Sequence, residues 1–194
     1  MSKITEKIKQ LNNVDKFILL LLDAKDSEPI PGSMHLQKEM YLLQNVFPEL
    51  ANEMDYEPCF LGSYSKIVSD KTEQLASSGM IIAQSGKIEL AFDGRKVVDV
   101  LKNNLEEKVI QKIREFKEFL NDLTKDELLA FTYFSYPSQD GLEKESVEYK
   151  DLIPKRQRLA ISIYQKGKIS AQKAAEIAGE HLEDFLEELK AWKR

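Results

Sequence analysis

Apolar residues recur three to four apart over most of this chain and two apart over one short stretch, so helices with a single small hairpin are predicted. Ser2 to Leu11 reads as a short amphipathic helix or arm. Val14 to Ala24, VDKFILLLLDA, is apolar nearly all round, which predicts a buried helix. Pro29, Pro31 and Gly32 break the chain between Lys25 and Gly32. Ser33 is placed to cap the next helix, whose inner face is Leu36, Met40, Leu43 and Phe47. Pro48 to Asp55 reads as a helical turn and loop.

The stretch from Phe60 to Val98 has the densest organisation. A Gly-Ser turn precedes a helix with Ile67, Leu75 and Met80 as apolar points and Ser63 or Ser65 as its cap. Two alternating runs follow, Met80 to Ala83 and Lys87 to Phe92, joined by Ser85-Gly86 in the manner of a hairpin. A new helix starts near Asp93. Helix, helix, hairpin and exit helix predict a winged helix-turn-helix over residues 1–100. From there Val97, Leu101, Leu105, Val109, Ile113, Phe116 and Leu120 form one stripe, predicting a long linking helix. That stripe would pack either inside the chain or on a second copy, as a homodimer through residues 95–120.

Thr124 and Glu127 have the spacing of a capping box for a helix through Phe134, halted by Pro137. Residues 138–153 read as a linker. Residues 154–194 form a second module: a helix from Lys155 to Lys166, a break at Gly167, a helix capped by Ser170, and a last helix from Leu182 to Trp192. Ala175, Gly179 and Phe185 carry helix-turn-helix spacing there. The predicted class is mainly α with a small β-hairpin (α+β), with residues 101–137 between the two modules.

Composition narrows the function. A net charge of -5 and a pI near 5.3 argue against a surface that is cationic throughout, while leaving room for a local basic face. The longest apolar run, Phe17 to Leu22, is far short of the roughly 20 residues of a membrane span. One cysteine, Cys59, excludes an internal disulfide; no signal peptide is evident, and a cytoplasmic protein without membrane contact is expected.

Enzyme chemistry finds little support. His35 and His181 lie in different modules, Cys59 has no histidine near it in sequence, and no Gly-rich phosphate loop occurs, so neither cofactor nor metal is expected. Tyr133, Phe134 and Tyr136 read as core. For nucleic acid, Ser63, Tyr64, Ser65, Lys66, Ser69, Lys71 and Thr72 are the candidates of the third winged helix, with Lys87 in the wing and Arg95 and Lys96 beyond it. Lys66 and Lys71 are balanced there by Asp70 and Glu73. Lys155, Arg156, Arg158, Lys166, Lys168 and Lys173 make a second, basic candidate patch; alternatively they pair with Glu183, Asp184, Glu187 and Glu188 of the acidic last helix.

Two resemblances rest on these residues. Leu36-Gln37-Lys38, Gly62-Ser63-Tyr64-Ser65, the run Leu75 to Ile81 and Leu90-Ala91-Phe92-Asp93-Gly94 resemble the winged-helix proteins of the YwgA-like and Panacea (SocA-like antitoxin) group over about residues 14–101. Ala91 stands where that group usually has a capping threonine. The core from Tyr164 to Gly179 is similar to a family of small predicted prokaryotic antitoxins; Glu180-His181-Leu182-Glu183-Asp184 then replaces a more neutral or basic start. Together they imply a prokaryotic regulator or antitoxin-like protein; the expected function is a winged-helix regulator of transcription that binds duplex DNA. The alternative is an antitoxin-like interaction module that uses the same surface on a protein partner such as a toxin.

Overall fold

The apolar segment around Leu19 is the axis on which the first half of the chain folds. The computed structural model describes residues 3–57, 63–137 and 142–192. They are mainly helical, with one two-stranded antiparallel sheet. The chain divides into two compact units, residues 1–56 with 65–122 and residues 57–64 with 123–194.

The first unit runs α1 (Lys3–Gln10), α2 (Asn13–Ser27), α3 (Gly32–Leu43), α4 (Ala51–Met54), α5 (Lys66–Ser77), β1 (Ile81–Gln84), β2 (Lys87–Leu90), α6 (Phe92–Lys102) and α7 (Glu107–Leu120). Asn12 and Asp15 cap α2 reciprocally. Ile18, Leu19, Leu21 and Leu22 are wholly buried, because α2 is packed by α4, α5, α6, α7 and β2. Ser85 and Gly86 both take positive φ (51° and 72°), giving the two-residue turn whose twist suits a hairpin. Ile30 pairs with Ile88 by two 2.9 Å backbone bonds and so extends the hairpin by one bridge.

The exit from α5 is a Schellman motif. The Met80 amide donates to Leu75 O and the Gly79 amide to Ala76 O, with Gly79 left-handed. The start of α6 then lies hard against this turn: a Cβ on Gly94 would sit 2.0 Å from Met80 O. Ala91 occupies the cap of α6 in extended geometry and provides no side-chain bond.

Several elements differ from the sequence reading. Ser33 does not cap α3, which starts one residue earlier behind Pro31. The long linking helix is two helices: Asn104 Nδ2 donates to Val100 O and the Leu105 amide turns back to Lys102 O, so α6 ends and α7 restarts at Glu107. The apolar stripe of α7 packs on α2, inside the unit.

The tightest electrostatic feature of this unit joins α2, α3 and α7. Lys25, Asp26 and Ser27 all have positive φ (53°, 55° and 58°), a conformation that costs on the order of 1 kcal/mol per residue. Lys117, wholly buried on α7, spans that turn by donating to Leu22 O and Glu28 O. Asn121 Nδ2 donates to Pro29 O, and Lys25 pairs with Glu28 and Asp122. Facing Lys117 is Glu39 of α3, also wholly buried, with neither carboxylate oxygen hydrogen-bonded. Burial pushes the Glu39 carboxyl up to about 8 against the pull of Lys117, and Glu28 adds to the rise. Burial brings Lys117 down to about 8 against Glu39, Glu28 and Asp23.

The second unit comprises α8 (Lys125–Ser135), α9 (Val147–Leu152), α10 (Arg156–Gln165), α11 (Ala171–Ala178) and α12 (Leu182–Trp192). Thr124 and Glu127 form the predicted capping box, and Ser170 caps α11. Residues 147–152, expected within a linker, are helical behind a Ser146 cap. Leu128 to Phe134 are buried, and α10 packs against both α8 and α11. Gly179 closes α11 in left-handed geometry and the chain turns into α12, seated by Phe185 and Leu189.

Two outcomes follow from the first unit. Between pH 4.5 and about 8 the folded state keeps a Glu39 proton that the unfolded chain has released, so stability falls as pH rises. Between about 8 and 10.5 the folded state has given up a Lys117 proton that the unfolded chain retains, so stability recovers. Urea midpoints from pH 5 to 8 should fall in the native protein and flatten in Glu39→Gln. Separately, Ala91→Ser should supply the missing cap of α6 and stabilise by about 1 kcal/mol, read as a higher urea midpoint.

Candidate functional site

The candidate helix α5 is positioned by its first residue rather than by its outer face. Gln37 of α3 holds the backbone of Ser65 with a two-point amide clamp: Nε2 donates to Ser65 O at 2.9 Å, and the Ser65 amide donates to Oε1 at 3.1 Å. The Ser65 hydroxyl accepts from the Val68 amide and donates to Met54 O, and Tyr56 OH donates to Gln37 O. Leu36-Gln37-Lys38 and the start of α5, read separately in the sequence, are thus bonded to each other. Ser65 is wholly buried, so it anchors the helix and presents nothing outward. Gly62, like Cys59 and Phe60, lies outside the described residues.

The remaining α5 candidates are mostly spent within the unit. Lys66 pairs with Asp70 one turn on, with nitrogen–oxygen distances of 2.7 and 2.8 Å. Lys71 turns back to the buried Asp15 of α2 at 3.2 Å. Thr72 Oγ1 donates to Val68 O, and Ser69 is half-buried. An open groove along the outer side is lined by Asp70, Glu73, Gln74, Ser77 and Ser78. This face is polar and acidic. Lys87 at the hairpin, and Arg95 and Lys96 on α6, are exposed, with Lys96 Nζ 3.9 Å from the ring centre of the exposed Phe92. Ser63 is half-buried, and Tyr64 is exposed with its backbone paired to Glu57.

In the second unit four of the six expected cations, Lys155, Arg156, Lys166 and Lys173, are bonded to groups of α8 or α11. Lys155 pairs with Asp126 at 3.0 Å. Lys166 pairs at 2.6 Å with Glu127, a buried carboxylate that also accepts from Ser162 Oγ at 2.6 Å and from the Thr124 amide. Burial alone would raise that carboxyl; the bonds from Lys166, Ser162 and Thr124 outweigh it and hold Glu127 below the usual carboxylate range. Lys173 pairs with Glu176 at 3.0 Å. Lys168 is half-buried beyond α10, and Arg158 is exposed.

Arg156 has the most demanding geometry. Its guanidinium donates to Glu176 O at 2.9 Å and to Ile177 O, closing the open end of α11, and lies 4.2 Å from the ring centre of Phe134. A Cβ on Gly179 would come within 2.6 Å of it. The arginine is therefore a structural clamp between α8, α10 and α11. The outer face of α12 remains acidic, with Glu183, Asp184, Glu187 and Glu188 exposed around Leu186. His35 is buried in α3, and His181 is exposed ahead of α12.

Against known proteins, a family model described as an uncharacterised protein family (UPF0175) matches residues 141–193, about a quarter of the chain. No curated protein and no solved structure matches. Among the described residues no helix is long and apolar enough to cross a membrane.

The clamp is testable by contrast. Arg156→Lys keeps the charge but cannot bridge two carbonyls and cover Phe134, so it should destabilise by on the order of 1–3 kcal/mol in urea unfolding. Arg158→Ala, two residues away and exposed, should leave the midpoint almost unchanged.

Proposed function

We propose that this chain is an antitoxin-like adaptor: a winged helix-turn-helix unit and a second helix-turn-helix unit that engage a protein partner in the cytoplasm. The winged reading is supported by the order of α2, the Ile30 bridge, α3, α5 and the β1–β2 hairpin. The antitoxin-like reading is supported by the Tyr164–Gly179 core, which lies within the stretch matched by the uncharacterised family.

One observation carries the choice of a protein over DNA. On α5, Lys66 is neutralised by Asp70 and Lys71 is drawn in to Asp15. The exposed side carries the Lys66–Asp70 pair together with Glu73 and Gln74, and would meet a phosphate backbone without a net positive charge. The acidic face of α12 has the same consequence and suits a basic partner, as a toxin that handles nucleic acid would be. Exposed Lys87, Arg95 and Lys96 favour a second reading, in which the wing side touches DNA phosphates and the protein regulates transcription.

Titration with non-specific duplex DNA at low ionic strength separates the two. The adaptor reading expects no salt-sensitive complex. A complex whose affinity drops steeply with salt, and is lost in the triple alanine variant of Lys87, Arg95 and Lys96, would establish the second reading instead.

A further inference from the structure

The second unit contains a cavity that the interaction surfaces above do not use. It has a volume of about 530 Å³ and lies between the start of α8, one side of α10 and the end of α12. That is within the roughly 300–1,000 Å³ of small-molecule sites. Leu159 and Ile161, both buried, line it among polar groups. Lys125 and Arg158 stand exposed at its rim, and among the described residues neither side chain has an ion-pair or hydrogen-bond partner. Trp192, half-exposed, lines it from α12, with Gln165 contributed by α10.

The two acids in the lining do not cancel the two cations. Asp126 is paired with Lys155, and Glu127 with Lys166, so each is neutralised before a ligand arrives. Glu127 is also fixed by Ser162 and the Thr124 amide, which makes that side of the cavity rigid. The site therefore offers two unpaired positive charges, an apolar floor, an indole face and one side-chain amide. Phosphate oxygens suit the cations, a flat heterocycle suits the indole, and an amide can read a base edge.

We infer that this cavity binds a nucleotide, with the phosphate at Lys125 and Arg158 and the base against Trp192. The inference is independent of whether the first unit takes protein or DNA. The ligand is either a free mononucleotide or the terminal nucleotide of a single strand, since both present the same groups.

Trp192 is the chain's one tryptophan, so its fluorescence in the full-length protein reports on this site alone. Adenosine monophosphate should change that signal saturably and in a salt-dependent way, while adenosine and inorganic phosphate each bind far more weakly. Arg158→Ala and Lys125→Ala should each weaken nucleotide binding about tenfold, with circular dichroism unchanged because both side chains are exposed. A short single-stranded oligonucleotide that binds more tightly than the mononucleotide assigns the ligand to a strand end; equal or weaker binding assigns it to a free nucleotide. The inference is overturned by the absence of a saturable change with either at millimolar concentration. It is equally overturned if the double variant binds as well as the native chain, or if inorganic phosphate alone matches the nucleotide.

Discussion

The buried ammonium of Lys117 is the interaction on which the first unit depends. It donates to carbonyls at the end of α2 and beyond the left-handed turn, and so holds a conformation that side chains resist. With that turn in place, Ile30 reaches Ile88 and the hairpin is registered against α2 and α3. The cost is a wholly buried carboxyl opposite, Glu39, which the surroundings keep protonated rather than ionised at neutral pH. A lysine at a position that periodicity would give to core thus fixes the path between two helices.

The second unit solves a similar problem with arginine. At the end of α11 the Gly179 amide donates to Glu176 O, and Arg156 reaches that carbonyl and the Ile177 carbonyl from α10 while stacking on Phe134 of α8. Gly179 is needed there twice, for its left-handed backbone and for the space the guanidinium occupies. Both units therefore use a cation not to meet an anionic partner but to finish a helix. Arg156, one of the candidates for the basic patch, is thereby engaged within its own unit.

Much of the fold was legible because it is written locally. The all-round apolar run gave α2, Ser85-Gly86 gave the hairpin, and Ser65, Thr124 and Ser170 gave helix starts. The break between α6 and α7 was hidden because the apolar spacing continues through Leu101, Leu105 and Val109 while Asn103 and Asn104 turn the backbone. The candidate site was less legible, since its electrostatics depend on partners distant in sequence. Asp15 for Lys71, Asp126 for Lys155 and Glu127 for Lys166 come from other helices, and no spacing rule links them. Trp192 and Lys125 line one cavity because the end of α12 and the start of α8 meet beside it.

The amide clamp of Gln37 on Ser65 grips main-chain atoms, and the hydroxyl below it points inward. None of the residues along the open side of α5 takes part in that grip. The anchoring of this helix is thereby separable from its outer face: the outward residues can be exchanged in descendants or by engineering while the mounting stays as it is. Such a helix is an interchangeable bit in a fixed chuck, and its outer surface can drift without the fold having to follow.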